Sequence, residues 1–285
     1  MHIPDGFLSP PVWVTLDLAS APAVAILARR AQTGTDTSRI PLLGVMGAFV
    51  FAAQMINFPV GPGTSGHLVG GALLSMVVGP TAAAIVMTAI LAIQAFVFQD
   101  GGIMALGANV FNMALAGVLA GYLPYRLWSR QWRSAAIFAG GFLSVLTSAC
   151  LALAQLLLSG VRMPPKIFWI STALFAIGAF IEGAITLAVV RAIERLNPAW
   201  VIAPARGGSR VVGLVGLAAV GAVVAAMLFA STAPDAIEKL TRTMGGEAAT
   251  ESIWLYRVAA GLGGLVLIYV ACTVIGRYLA RQRSA

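Results

Sequence analysis

The chain has 285 residues and a formal net charge of +8, and 59% of its residues are hydrophobic while only 10% are charged. Together with a mean hydropathy of +0.91, this composition excludes an ordinary soluble domain and predicts a polytopic membrane protein. The strand alternation of a membrane β-barrel is absent, so we expect α-helices. The basic residues fall in short clusters between apolar runs, which is typical of membrane topology, and no nucleic-acid partner is expected.

The start of the chain lacks the features of a cleavable signal peptide. No basic residue precedes the first apolar run, and Pro4, Asp5 and Gly6 interrupt the first eight residues. A bulky residue at position 2 also disfavours removal of the initiator methionine. We therefore expect Met1 and His2 to begin the mature protein.

Nine apolar segments follow, and one of them is too short to cross a membrane comfortably. They cover residues 10–31, 41–58, 67–78, 80–98, 108–125, 134–159, 167–191, 211–230 and 253–276. A spanning helix needs about 20 apolar residues. Segment 67–78 ends at Gly79-Pro80 and is therefore predicted to form a broken or re-entrant pair with 80–98. The predicted fold class is an all-α polytopic membrane protein, with a core of about seven transmembrane or re-entrant helices and a two-helix C-terminal appendage.

The distribution of basic residues predicts the orientation. Thirteen of the 18 occupy alternate gaps between apolar segments and five occupy the other gaps, and the richer gaps should be cytoplasmic. The N-terminus and residues 59–67 then lie outside and the C-terminus lies in the cytoplasm, as in a multi-pass protein of a bacterial-type cytoplasmic membrane. This assignment requires residues 67–98 to enter the membrane and return to its outer side. If these residues formed a single tilted span instead, the predicted orientation would be reversed either before or after them.

Composition also divides the chain into regions. Three dipeptides containing Pro or Gly interrupt a basic stretch at 192–210, which is predicted to be a cytoplasmic linker. Residues 1–191 form the predicted membrane core. Residues 211–285 form the appendage, whose two helices are joined by an outer loop at 231–252.

The two histidines are the strongest candidates for chemistry. His2 and His67 are the only histidines in the chain, and the orientation places both on the outer face. At position 2, a histidine allows the terminal amine of Met1, its own amide nitrogen and its own Nδ1 to bind one metal ion through five- and six-membered chelate rings. His67 would fill the remaining planar position. An all-nitrogen planar site suits Ni(II) or Cu(II), and low-spin Co(II) also accepts it, whereas zinc prefers a tetrahedral site. A packing or hydrogen-bonding role for the histidines is the alternative.

Three polar residues are candidates for supporting these ligands. Ser65 lies in the glycine-rich stretch 61–66, which either aims the second histidine or forms an ordinary turn before a helix. The loop 100–107 falls on the same face and is expected to cover the pocket, with Asn109 and Asn112 behind the ligands. Helix capping and interhelical hydrogen bonds explain the two asparagines nearly as well.

Four further residues stand out within apolar runs. Ionisable side chains are costly there and suggest a function, which applies to Asp17 and Glu182. Glu182 is expected to pair with an arginine or to face a partner, and Asp17 to lie at the membrane interface, and neither is predicted to bind metal. Cys150 and Cys272 occur singly and are predicted to be small residues of the membrane core.

Two patterns bear on enzymatic activity. Gly63-Thr64-Ser65-Gly66 matches the short Gly-x-Ser-Gly pattern of rhomboid-type intramembrane serine proteases, but no histidine occurs in a later helix to act as the base. A phosphate loop of the Gly-x-x-x-x-Gly-Lys-Ser/Thr type is also absent. We therefore expect a transporter subunit and not an enzyme. If transport is driven by ATP, the ATPase is another polypeptide.

Three motifs carry a resemblance to a known family. They are Met1-His2-Ile3-Pro4-Asp5-Gly6-Phe7-Leu8, Gly63-Thr64-Ser65-Gly66-His67-Leu68 and Gly107-Ala108-Asn109-Val110-Phe111-Asn112-Met113. Over roughly residues 1–191 the chain resembles the cobalt/nickel substrate-binding membrane subunits (the CbiM/NikM family) of energy-coupling-factor transporters. The resemblance implies a planar metal site made by the amine of Met1, the backbone nitrogen and imidazole of His2, and His67. It also implies Ni(II) or Co(II) as the transported substrate, with no organic cofactor. Besides membrane lipids, the implied partners are a coupling transmembrane protein and two cytoplasmic ATPase subunits.

The C-terminal part resembles a second component of such transporters. Pro234-Asp235-Ala236-Ile237-Glu238 is similar to the Pro-Asp-Gly-Leu-Glu signature of a small two-helix accessory subunit that is sometimes fused to the binding subunit, although two positions differ. The predicted function is the substrate-binding component of an ATP-driven importer for nickel or cobalt, with nickel favoured by Pro4-Asp5-Gly6 and the accessory-like tail. The alternative is an ATPase-independent secondary transporter or channel.

Overall fold

A computed structural model of the chain describes residues 1–34, 40–56, 58–61, 64–162, 164–201 and 254–281. Helices dominate this part of the chain. In order, the elements are α1 (Pro10–Gly34), α2 (Ile40–Gln54), β1 (Phe58–Gly61), β2 (Thr64–Gly66), α3 (Gly71–Val78), α4 (Pro80–Ile93), a π-helical turn (Gln94–Phe98), α5 (Leu106–Asn109), a π-helical segment (Val110–Gly117), α6 (Val118–Trp128), α7 (Arg133–Leu158), α8 (Pro165–Leu196), a 3-10 turn (Pro198–Trp200) and α9 (Trp254–Arg281).

Five helical stretches in the described ranges are long and apolar enough to cross a membrane. They are Pro10–Ala31, Pro80–Phe98, Leu106–Trp128, Arg133–Leu158 and Pro165–Leu196. Two shorter apolar stretches, in α2 and α9, accompany them. The prediction of an all-α polytopic membrane protein is confirmed. One small difference lies before His67, where β1 and β2 form an antiparallel hairpin with Phe58 opposite Gly66.

The short helix α3 follows the segment that contains His67. It has eight residues, which at 1.5 Å per residue give a length of about 12 Å, too short to cross a bilayer. Gly70 precedes it with φ +76° and Gly79 follows it with φ +85°, a region that glycine enters without strain. The predicted break at Gly79-Pro80 is therefore confirmed, and α4 begins at Pro80.

Small residues let the long helices approach closely, as is common in membrane proteins. A Cβ atom added to Gly141 of α7 would lie 2.8 Å from the Cα atom of Gly183 of α8. Similarly, a Cβ atom on Gly47 of α2 would lie 2.9 Å from Sγ of Cys272 of α9. Cys272 is buried there, whereas Cys150 is exposed on α7, and both are free thiols.

Much of the predicted appendage lies outside the described residues. This applies to residues 202–253, which contain the end of the predicted linker, the segment 211–230, the loop 231–252 and the accessory-like signature at 234–238. Helix α8 continues to Leu196, which is five residues beyond the predicted end of the core at 191. The division of the chain into core, linker and appendage therefore stays a prediction.

Candidate metal centre

The N-terminal segment is buried against the loop that precedes α5. The side chain of Ile3 is fully buried and His2 is 7% exposed. The N–H of Ile3 donates to Oδ1 of Asn109 over 2.8 Å, and Nδ2 of Asn109 donates back to the carbonyl of Ile3 over 3.1 Å. The N–H of Gly102 also donates to that carbonyl, over 2.9 Å. Since buried backbone groups need partners, these three bonds hold the start of the chain in a fixed position.

Asp5 fastens the same segment to the start of α5. Its carboxylate accepts hydrogen bonds from the backbone N–H groups of Ile103, Met104 and Ala105, over 2.9, 2.8 and 3.2 Å. Gly102 lies so close that a Cβ atom there would be 2.6 Å from the nitrogen of Asp5. The loop 100–107 therefore packs directly on residues 1–5.

Met1 and His67 meet at the centre of this region. The terminal nitrogen of Met1 lies 2.6 Å from Nε2 of His67. On the other side of the ring, Nδ1 of His67 lies 2.9 Å from the carbonyl oxygen of Leu68. A carbonyl oxygen only accepts, so Nδ1 carries the proton and Nε2 presents its lone pair to the terminal amine. This is the tautomer in which Nε2 is available to a metal ion.

His2 lies beside His67. Their ring centroids are 5.6 Å apart and the ring planes are 8° from parallel. Nδ1 of His2 lies 3.1 Å from Oδ1 of Asp100, and its buried Nε2 has no hydrogen-bond partner among the described residues. Burial lowers the pKa of the His2 imidazole, although the carboxylate of Asp100 opposes this shift. The neutral form, which is the form that binds metals, is therefore favoured.

Asp100 was not among the predicted site residues. Its side chain is 56% exposed and pairs with the buried imidazole of His2. The sequence placed it in the covering loop 100–107, and an acidic residue directly before Gly101-Gly102 was the available signal. Its partner depends on the path of the N-terminal segment, which sequence patterns do not specify.

The three residues predicted to support the ligands, Asn109, Asn112 and Ser65, lie in different environments. Asn109 contacts the backbone of Ile3, directly beside His2. Asn112 instead pairs with Gln155 of α7 through two hydrogen bonds of 2.8 and 2.6 Å, so it serves as the interhelical contact that was the alternative. Ser65 lies in β2, and the structure describes only its backbone.

The two acidic residues of the apolar runs accept hydrogen bonds from backbone N–H groups of loops, and not from arginine side chains. Glu182 is 1% exposed, and its carboxylate accepts hydrogen bonds from the N–H groups of Val69 and Gly70, each over 2.9 Å. The expectation that Glu182 pairs with an arginine or faces a partner is therefore wrong, because the backbone next to Gly70 turns two N–H groups towards it. Asp17 accepts a hydrogen bond of 2.7 Å from the N–H of Gly107, which ties α1 to the covering loop.

Within the part of the chain that the structure describes, no group of three or more His, Cys, Asp or Glu side chains is arranged to hold a metal ion. The terminal nitrogen of Met1, 2.6 Å from Nε2 of His67, is a further potential donor beside these side chains.

The described residues include five helical stretches long and apolar enough to cross a membrane, which is typical of a multi-pass membrane protein. The chain belongs to the CbiM family, because residues 2–200 match the model of this family, which is described as the cobalt uptake substrate-specific transmembrane region. The chain is thus a membrane component of cobalt or nickel transport.

Individual relatives agree with this membership. A relative in Haloquadratum walsbyi that is named a metal transport protein is 41% identical over 205 residues, which are 70% of this chain and 92% of the relative. A relative in Archaeoglobus fulgidus, named a fused nickel transport protein, is 39% identical over 205 residues, covering 70% of this chain and 67% of the relative. The crystal structure of a transition metal transporter is 31% identical with a TM-score of 0.62, covering 70% of this chain and 94% of that one. The interpretation as a protease gains no support from this family.

Proposed function

We propose that the chain is the substrate-binding subunit of an ATP-driven importer of the energy-coupling-factor type, and that it captures Ni(II) or Co(II) on the outer face of the membrane. The ligands are the terminal amine of Met1, the amide nitrogen and imidazole of His2, and Nε2 of His67. The observation that carries the proposal is the 2.6 Å distance between the Met1 nitrogen and His67. The metal ion is the transported substrate.

The chemistry of these donors favours the proposed ions. Binding displaces protons from the amine and the amide, and metal ions with a preference for planar nitrogen sites support such ligation better than zinc does. Nδ1 of His2 must exchange its contact with Asp100 for the metal ion. The family description names cobalt and the Archaeoglobus relative is named for nickel, and both ions are kept in the proposal.

Energy for transport is proposed to come from other polypeptides. The chain has no phosphate loop, so a coupling transmembrane protein and two cytoplasmic ATPase subunits are the proposed partners. The orientation with the N-terminus outside and the C-terminus in the cytoplasm is kept as part of the proposal, because it rests on the distribution of basic residues.

We further propose that residues 211–285 are the fused accessory-like region. Helix α9 packs on α2, and a Cβ atom on Gly44 would lie 2.8 Å from Oγ1 of Thr273. The Archaeoglobus relative is itself named a fused protein. This division is tested by deleting residues 211–285 and then supplying them as a separate chain. Metal uptake should be lost on deletion and restored by the separate chain.

The deciding experiment changes the position of the amine without changing any side chain. A protein that starts at Met1 should bind Ni(II) or Co(II), whereas one with a single extra residue before Met1 should not, because the chelate rings no longer close. A removable N-terminal extension serves as the matched control, since cleavage that restores Met1 as the first residue should restore binding. His67→Ala should weaken binding while leaving the protein folded in the membrane.

Retention of binding by the extended protein would refute the proposed site. The coupling to ATPases is tested separately by uptake into liposomes. Metal uptake by the purified chain alone, driven by an ion gradient, would favour a secondary transporter or channel over a subunit that needs an ATPase.

A further inference from the structure

The peptide group between Leu68 and Val69 joins two hydrogen bonds. Its carbonyl oxygen accepts from Nδ1 of His67 over 2.9 Å, and its N–H donates to Oε2 of Glu182 over 2.9 Å. Because a peptide group is planar and rigid, the carboxylate of Glu182 fixes the direction in which the carbonyl faces His67. The two bonds also polarise each other, since hydrogen bonds in series strengthen one another in a medium of low dielectric constant.

Further hydrogen bonds hold the segment from Leu68 to Gly70. Oε1 of Glu182 accepts from the N–H of Gly70 over 2.9 Å. The carbonyl of Val69 accepts from Nε2 of Gln54 over 2.7 Å, and Oε1 of Gln54 in turn accepts from Nε2 of Gln94 over 2.8 Å. Helices α8 and α2 thus supply polar side chains to a segment whose residues are buried, and Gln94 of the π-helical turn after α4 supports Gln54 of α2.

Two successive backbone N–H groups, those of Val69 and Gly70, point to the carboxylate of Glu182, as in the backbone concavities that bind anions. Gly70 itself has φ +76°, a left-handed conformation that favours glycine. A Cβ atom at Gly70 would lie 2.5 Å from Cγ1 of Val50. The carboxylate of Glu182 occupies the place of the anion.

We propose that Glu182 is a positioning residue for the metal site, acting through the Leu68–Val69 peptide group to hold His67 as the tautomer with its proton on Nδ1. In metal sites, a carboxylate or carbonyl behind a histidine sets the ring orientation and makes the ligating nitrogen more basic. Here the carboxylate acts through an intervening peptide group, and Nε2 of His67 faces the Met1 amine at 2.6 Å. The inference rests on the proposed function for the metal, but its effect on the tautomer is a property of the metal-free protein.

The test uses variants of two glutamates on the same helix. Glu182→Gln leaves one backbone N–H without an acceptor whichever way the amide turns, and Glu182→Met removes both acceptors at similar size. Glu194→Gln is the matched control, because Glu194 lies on α8 about 18 Å further along and binds Arg133 and Arg191 instead. All proteins start at Met1.

Two measurements are made on each protein. The first is the affinity for Ni(II), which we expect to fall about 10–100-fold in the Glu182 variants and to stay near the wild-type value in Glu194→Gln. The second is the nitrogen NMR spectrum of the metal-free, ¹⁵N-histidine-labelled protein. Only two histidines contribute signals, and His67→Ala identifies those of His67. In the wild type, the signals of His67 should show a protonated Nδ1 and an unprotonated Nε2. In the Glu182 variants they should show a mixture of the two tautomers.

The two measurements separate the possible failures. Unchanged His67 signals in Glu182→Gln would overturn the inference even if the affinity fell, because the loss would then reflect general destabilisation. Equal losses in Glu182→Gln and Glu194→Gln would overturn it as well. If the wild type bound no metal, the proposed function would fail, while the tautomer measurement would still decide whether Glu182 controls His67.

Discussion

Replacing Asp5 by alanine should loosen the N-terminal segment and thereby weaken metal binding. The carboxylate accepts three backbone hydrogen bonds from residues 103–105, and no other group on the segment replaces it. Two of these bonds are exposed to solvent, where water competes for the same groups. The three bonds together should therefore stabilise the docked segment about as much as one helix-capping side chain does. Such a side chain contributes about 0.5–2 kcal/mol.

The expected effect on affinity follows from this value. Metal binding at the proposed site requires the docked segment, so a loss of about 0.5–2 kcal/mol reduces the affinity by at most about 2–30-fold. Asp5→Asn is the matched control. The single amide oxygen of asparagine can replace Oδ1, which accepts from Met104 and Ala105, while the N–H of Ile103 loses its acceptor Oδ2. The affinity of this variant should therefore lie between those of the wild type and Asp5→Ala if the role of Asp5 is to accept hydrogen bonds.

The assay is calorimetric titration of Ni(II) into protein that starts at Met1, combined with hydrogen exchange of the metal-free protein. In Asp5→Ala the amides of Ile103, Met104 and Ala105 should exchange faster. Unchanged exchange at these three amides would refute the assignment of their hydrogen bonds. An equal loss of affinity in Asp5→Asn and Asp5→Ala would show that charge, and not docking, is what Asp5 contributes.

Two further predictions concern pH and packing. Metal affinity should fall as the pH falls, because protons compete with the metal ion for the amine, the amide and the imidazoles. Burial lowers the pKa of the His2 imidazole. In a pH titration of Ni(II) binding, protonation of this ring should therefore weaken binding only below the pH range in which a histidine ordinarily titrates. Gly140→Ala should destabilise the protein by about 1–3 kcal/mol, since its Cβ would lie 2.5 Å from the carbonyl oxygen of Gly121 and from Cε of Met76. Gly178→Ala meets no atom within 4 Å and should be stabilising by about 0.5–1 kcal/mol, as measured by unfolding in detergent. A stability loss at position 178 as large as that at 140 would contradict the packing argument.

The helices were predictable because membrane spans leave a strong signal in composition and length. The short segment ending at Gly79-Pro80 was recognisable for the same reason, since it is visibly too short to cross. The π-helical turns at Gln94–Phe98 and Val110–Gly117 were not predicted. They flank the covering loop, and they arise from tertiary packing that no local pattern reports.

The candidate site was predictable in its residues but not in its supporting contacts. His2 and His67 stood out because the chain has no other histidine. The partners of Glu182 are backbone N–H groups, whose direction depends on the backbone torsion angles of the loop. Polar side chains that bind the main chain leave no complementary charge in the sequence, so the prediction of an arginine partner was wrong.

The hydrogen bond between Ile3 and Asn109 also has a consequence for how the protein is made. It joins residues that are 106 positions apart. At about 5–20 residues per second, a ribosome reaches Asn109 about 5–20 s after it has added Ile3. Throughout that interval the N-terminal segment of the nascent chain exists without the residues that enclose it. Completion of the centre is therefore a late event of biogenesis, and Glu182 arrives later still.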